Sequence, residues 1–311
     1  MKRMLKNIIK MVSNINFDMT KNYKLYRKVN RIVCFSYTKK NYKRIDTNFK
    51  FEDRSVPVSF FIPNTDYQDK LIIYFHGGGW VIGDVDTYTS TCSKLAVEVN
   101  CIVAFVNYRL APEHPFPKGL IDCYDVTKEM FLSDMFGIDN DNIILMGDSA
   151  GANIAAVVSI MASEKKKFLP QRQILLYPVT YYDHSKKTPY ASVLENDKKW
   201  GLTAKRVEEY MQLYVPKEKD RKTKYVSPML AKNLCGQPKT LIITAEYDLL
   251  RDEGEAYGNK LQQFGVEVKI HRILDCIHGF FSLRLFSKQK SESLVYIKSF
   301  INGSENYESQ K

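Results

Sequence analysis

The chain has 311 residues, 44% of them hydrophobic and 13% aromatic, which excludes global disorder and leaves room for one large domain or two modest ones. The net charge of +11 is lopsided: residues 1–50 hold 14 Lys and Arg against Asp18 and Asp46, whereas the remainder carries 32 basic and 33 acidic residues. The basic character therefore belongs to the N-terminal segment, and with no recognition motif beside it nucleic acid is excluded as a partner.

Residues 1–12 carry an apolar stripe of Met1, Met4, Leu5, Ile8, Ile9 and Val12, with Lys2, Arg3, Lys6 and Lys10 off the stripe. This predicts a basic amphipathic helix. It could serve as a lid on the body or touch an anionic membrane surface. Its shortness and lack of Trp or Phe favour the lid. A second helix is expected around Tyr23–Phe35. From Asp46 onward Phe49, Phe51, Val56, Val58, Phe60 and Ile62 alternate with polar residues, as in an antiparallel pair ending near Pro63. Buried strands are expected at Leu71–Phe75, Cys101–Asn107, Asn142–Met146, Gln173–Tyr177, Thr240–Thr244 and Val266–Ile273. Helices are expected at Thr87–Val99, Leu120–Leu132, Ala150–Ser163, Glu253–Phe264, with Asp252 as its N-cap, and Ser291–Ile301. This alternation implies a mostly parallel sheet with helices on both faces. Residues 183–225 break the rhythm with a helix at Thr203–Tyr214 and no buried strand, which suggests an insertion over the C-terminal edge of the sheet.

Six cysteines show neither C-x-x-C nor zinc-finger spacing, which points to reduced thiols and a cytoplasmic protein. The apolar residues at the N-terminus are interrupted by Lys6 and Lys10, so no signal peptide is expected. No run reaches the ~20 apolar residues of a membrane span.

The chemistry centres on Gly147-Asp148-Ser149-Ala150-Gly151. Four apolar residues, a Gly-x-Ser-x-Gly turn and a small-residue helix form a strand–turn–helix that can lift Ser149 out of the sheet. A serine hydroxyl needs a base, an orienting acid and an oxyanion site. Strand Leu71–Phe75 runs into His76-Gly77-Gly78-Gly79-Trp80, whose backbone N–H groups can face developing negative charge, with the Ala150 N–H completing the set. A phosphate-binding reading fails for want of a following Lys-Ser/Thr or G-x-G-x-x-G spacing. Among the five histidines, His278 follows the last strand at the same end of the sheet and is the expected base. His76 is expected to support the glycine turn. The acid is expected at Asp248, just past a strand end, with Glu246 and Asp275 as alternatives. Arg109 to Glu113 is read as structural, tying the Asn107 strand end to the glycine turn.

These motifs resemble the hormone-sensitive-lipase family of α/β-hydrolase esterases. The resemblance rests on His76–Trp80, Asn107–Glu113, Gly147–Gly151, Ser227-Pro228, Asp248–Glu253 and His278-Gly279-Phe280, and spans about residues 50–300. It implies an α/β-hydrolase fold with a helical cap built from residues 1–45 and an insertion at 183–225 of a 46–311 catalytic domain. It also implies a triad of Ser149, Asp248 and His278, oxyanion donors at Gly77, Gly78 and Ala150, and support from His76, Gly79, Gly147 and Gly151. No metal or cofactor is implied. The expected partner is a small ester of short acyl chain, cleaved through an acyl-enzyme on Ser149. Amide or formamide cleavage, a non-catalytic binder of this fold and a homodimer stay open as alternatives. Leu249 stands where the family often has Pro.

Overall fold

A computed structural model describes residues 18–34, 41–133 and 135–303. The helix expected over residues 1–12 lies outside them. The chain enters with helix α1 (Met19–Cys34) and the hairpin β1 (Tyr42–Lys50) and β2 (Ser55–Pro63), followed by β3 (Leu71–Phe75), α2 (Val85–Val99), β4 (Ile102–Val106) and α3 (Lys118–Leu132). Then come β5 (Ile143–Asp148), α4 (Ala150–Lys165) and β6 (Arg172–Leu176). The insertion holds α5 (Ala191–Asn196), α6 (Ala204–Tyr214) and α7 (Glu218–Arg221). The chain closes with β7 (Lys239–Tyr247), α8 (Arg251–Gln263), β8 (Val268–Ile277) and α9 (Ser287–Asn302).

The strands form one eight-stranded sheet in the order β1-β2-β4-β3-β5-β6-β7-β8. Only β2 runs against the rest, pairing antiparallel with both β1 and β4. Strand β3 is wholly buried, and its alternate residues serve two cores: Leu71, Ile73 and Phe75 face one, Ile72 and Tyr74 the other. Helices α3, α4 and α8 cover the first face, and α2 and α9 cover the second. This two-sided burial is why the central strands read as unbroken apolar runs. The chain passes from β3 to β4 on one side and then to β5 on the other. The carboxyl ends of β3 and β5 thus flank the point where strand order reverses, the usual crevice of an open α/β sheet.

Several boundaries depart from the sequence reading. Strand β1 starts at Tyr42, so the sheet begins inside the segment assigned to the cap at 1–45. As an edge strand it is exposed along most of its length, which weakens its alternation signal. Strand β8 runs on to Ile277 past a register irregularity opposite Ala245–Tyr247. Asp252 does not cap α8. Leu250 holds that position, and the Asp252 carboxylate instead accepts from Ser192 N at 2.7 Å. Among the described residues no helix is long and apolar enough to cross a membrane.

Candidate active site

Strand β5 ends in Asp148, and α4 starts at Ala150. Ser149 sits between them at φ 54, ψ −120, a left-handed conformation rare for a side chain-bearing residue. Such a bend costs on the order of 1–3 kcal/mol and survives only where the surroundings enforce it. They do so here through close packing. A Cβ on Gly151 would lie 2.0 Å from Phe75 O, and one on Gly147 would lie 2.4 Å from Gly151 O. The Ser149 N–H donates to Leu176 O at 2.8 Å, pinning the turn to the neighbouring strand.

His278 follows β8, and its Nε2 lies 2.8 Å from Ser149 Oγ. Its Nδ1 lies 2.7 Å from Oδ2 of Asp248, whose side chain is fully buried. With Nδ1 carrying the proton toward Asp248, Nε2 is free to accept from the serine hydroxyl. The other Asp248 oxygen accepts from Leu250 N at 2.9 Å, which fixes the carboxylate. The insertion grips this acid loop from outside. Asn196 Nδ2 donates to Asp248 O at 3.1 Å and Ser192 Oγ donates to Leu249 O at 2.8 Å. Leu249, where the family often has Pro, is buried. Glu246 lies elsewhere and accepts from Asp275 N at 2.7 Å.

The remaining histidines stand apart from this chain of bonds. His76 is buried, stacked on Tyr108 with ring centroids 4.3 Å apart, and its Nδ1 lies 2.8 Å from Gly77 O. Burial lowers its pKa to about 4, so it is neutral at ordinary pH. Tyr108 Oη donates to His76 O and Ala111 N to Trp80 O, so the Asn107–Glu113 stretch does tie to the glycine turn. His184 Nε2 lies 2.7 Å from Glu253 Oε2. Burial pushes the His184 pKa down, but the Glu253 carboxylate more than offsets this and leaves it raised. His271 stacks on Tyr296.

The glycine turn corrects one expectation. The Gly77 N–H does not face the serine cavity as an open donor: it gives hydrogen bonds to Asp148 Oδ1 at 2.9 Å and to Tyr88 Oη at 3.0 Å. The cause is Asp148, a buried carboxyl that also accepts from Tyr74 Oη at 2.9 Å and Tyr88 Oη at 3.0 Å. Burial raises its pKa, and those hydroxyls and the Gly77 N–H pull it back in part. The N–H groups of Gly78, Gly79 and Ala150 donate to no acceptor among the described residues. Gly78 and Gly79 have φ of +105 and +61, conformations glycine enters at little cost. Ala150 opens the 16-residue helix α4, whose N-terminal end favours negative charge.

The cavity above the serine measures about 180 Å³, and Gly78, Gly79, Ser149, His278, Val179, Leu202, Val207 and Tyr210 all line it. Tyr210 comes from α6 and packs flat against the turn: a Cβ on Gly79 would lie 2.3 Å from its ring. The sequence did not single out Asp148, Tyr74, Tyr88 or Tyr210. The available signal was a carboxylate directly before the serine, where burial demands several donors.

A serine, imidazole and carboxyl in a continuous hydrogen-bonded row, beside unpaired backbone N–H groups at the switch point of this sheet, define an α/β-hydrolase. Residues 72–282 match the family model described as the alpha/beta hydrolase fold. The chain is 31% identical over 278 residues to an arylesterase of Saccharolobus solfataricus, covering 88% of this chain and 89% of that one. It is 30% identical over 251 residues to an ethyl acetate hydrolase of Pseudomonas putida, covering 79% and 78%. A hyperthermophilic esterase from Pyrobaculum calidifontis superposes with a TM-score of 0.86 at 30% identity, covering 97% of this chain and 98% of that one. The chain belongs to the hormone-sensitive-lipase and carboxylesterase family of α/β-hydrolases, and it is a carboxylic ester hydrolase.

Proposed function

We propose that the protein hydrolyses short-chain acyl esters through an acyl-enzyme on Ser149, with His278 as base and Asp248 as its orienting acid. The observation that carries this is the row Asp248 Oδ2–His278–Ser149 Oγ, closed at 2.7 and 2.8 Å. His278 Nε2 takes the hydroxyl proton as Ser149 Oγ attacks the ester carbonyl. The electron pair moves onto the carbonyl oxygen, which the N–H groups of Gly78, Gly79 and Ala150 hold. Gly77 drops out of the expected donor set, and Gly79 takes its place. The intermediate collapses, the C–O bond breaks, and the alcohol leaves with the proton from His278. Water repeats the cycle on the acyl-enzyme and releases the acid. Loss of one such backbone donor typically costs about 10²–10³ in rate.

A short acyl group fits the small cavity and the ring of Tyr210 laid across Gly79. The cap is proposed as the segment before β1 together with the 183–225 insertion. Helices α1 and α6 support this by packing together, with Met19 N donating to Glu209 Oε2 at 3.2 Å and Arg206 lying 4.8 Å from the Tyr26 ring. The free thiols of Cys92, Cys101, Cys123 and Cys276 suit a cytoplasmic setting.

The test is a panel of p-nitrophenyl esters of graded acyl length plus an anilide, run on wild type and Ser149→Ala. Acetate to butyrate should be cleaved fastest and the anilide slowly. The substitution should remove at least about 10⁴ of kcat. Full activity in Ser149→Ala, or fastest cleavage of a long acyl chain, would refute the reading.

A further inference from the structure

Helix α1 has two unlike faces. The inner face is occupied: Met19 is buried, Tyr23 and Tyr26 pack on the core, and Arg27 donates to Val81 O and Ala111 O and pairs with Glu113. The outer face presents Leu25, Val29 and Ile32 at 50%, 47% and 77% exposure. Their i, i+4, i+7 spacing aligns them within about 60° of arc. Lys21, Lys24, Lys28 and Arg31 run beside this stripe, and the helix contains no acidic residue. Arg31 is paired with Asp84, whereas Lys21, Lys24 and Lys28 form no ion pair among the described residues.

We infer that this stripe is a docking surface for an anionic lipid surface. Charge decides the occupant. Residues 1–17 carry Lys2, Arg3, Lys6 and Lys10 and no acid, so laying that segment on α1 would set cation against cation. A second copy meeting the first through the same face would do likewise. The partner is therefore anionic. An aligned aliphatic row with a cationic margin is the pattern of a helix lying in a membrane interface, its side chains among the acyl chains and its lysines at the phosphates. The surface also adjoins the reaction chamber. Lys28 and Arg31 line a second cavity of about 320 Å³, and that cavity shares Asn30, Gly83 and Thr87 with the one above Ser149. Docking would hold this cavity at the interface, where apolar esters concentrate. The docking itself stands independently of which ester is cleaved.

The full chain is sedimented with phosphatidylcholine vesicles, with and without about one third phosphatidylserine. Two variants are compared: the triple Leu25→Gln, Val29→Gln and Ile32→Gln, and the double Lys21→Gln and Lys24→Gln. Gln keeps helix propensity, so folding and cleavage of a soluble acetate ester should be unchanged. Wild type should bind the anionic vesicles and be released by salt. Each lysine near the surface is worth about fivefold in partitioning, so the lysine variant should bind at least tenfold less. The apolar variant should also lose at least tenfold. Wild type that ignores the vesicles overturns the proposal. So does an apolar variant that binds as wild type does, because the contact would then run through charge alone or through residues 1–17. Retention on immobilised polyglutamate without vesicle binding would assign the face to an acidic protein. A wild-type dimer that the apolar variant dissolves would assign it to a second copy. Either result also overturns the lipid reading.

Discussion

The floor and the roof of the reaction chamber are built on different physics. The floor consists of the ends of β3 and β5 and the start of α4, where the backbone itself is packed so closely that an added methyl at Gly151 would overlap Phe75. The proposed roof of α1 and the insertion is held by side-chain bonds such as Met19 N to Glu209 and by the ring of Tyr210 on Gly79. Reaction chemistry placed on the first is insensitive to sequence drift in the second, outside the Ser192 and Asn196 contacts with the acid loop. Substrate choice placed on the second can change without touching the serine.

Substitutions can break that division or sharpen it. The largest effect should come from the acid that serves the floor's serine. Asp248→Asn should leave the fold intact yet lower kcat about 10⁴-fold, because the amide favours the wrong imidazole tautomer. Stopped-flow or steady-state assays with an acetate ester would check it, and a loss below tenfold would make Glu246 or Asp275 the operative acid. Tyr210→Ala belongs to the roof. It should lower kcat/KM for acetate by no more than about tenfold and raise it for octanoate, since one methylene is worth about 1–3 kcal/mol in an apolar pocket. An unchanged chain-length profile would remove Tyr210 as the wall.

A smaller effect should appear behind the floor. Lys290 is buried over the Phe281 ring, and burial lowers its pKa to about 8 from 10.5. The unfolded chain therefore binds this proton more readily than the folded one between those values, so stability contributed here rises as pH climbs from about 8 toward 10.5. Lys290→Met should raise stability at pH 7 by about 2 kcal/mol and flatten that rise. Urea denaturation at pH 7 and pH 10 measures both. The smallest effect is on the surface: Arg31→Ala breaks an exposed pair with Asp84 and should cost about 0–1 kcal/mol.

Ser149, Asp248 and His278 were legible because each follows an unmistakable strand, and strand ends at one edge of a parallel sheet must gather. The direction of a single N–H was not. Gly77 and Gly79 are equivalent in the sequence, and only the Asp148 carboxyl beneath the turn decides that Gly77 points inward. The failed cap at Asp252 has the same origin. Its carboxylate had a competing donor in Ser192, which lies 60 residues away in sequence. Strand β1 was misplaced because an edge strand exposed on both faces owes little to hydrophobic alternation.

The grip of Asn196 and Ser192 on the loop that carries Asp248 has a consequence for engineering. Excising residues 183–225 would not yield a lidless enzyme with an open channel. It would strip the braces from the loop that carries the Asp248 carboxylate, so such a truncation should turn over slowly even on the smallest esters, and roof shortening should stop before Ala191 or begin after Asn196.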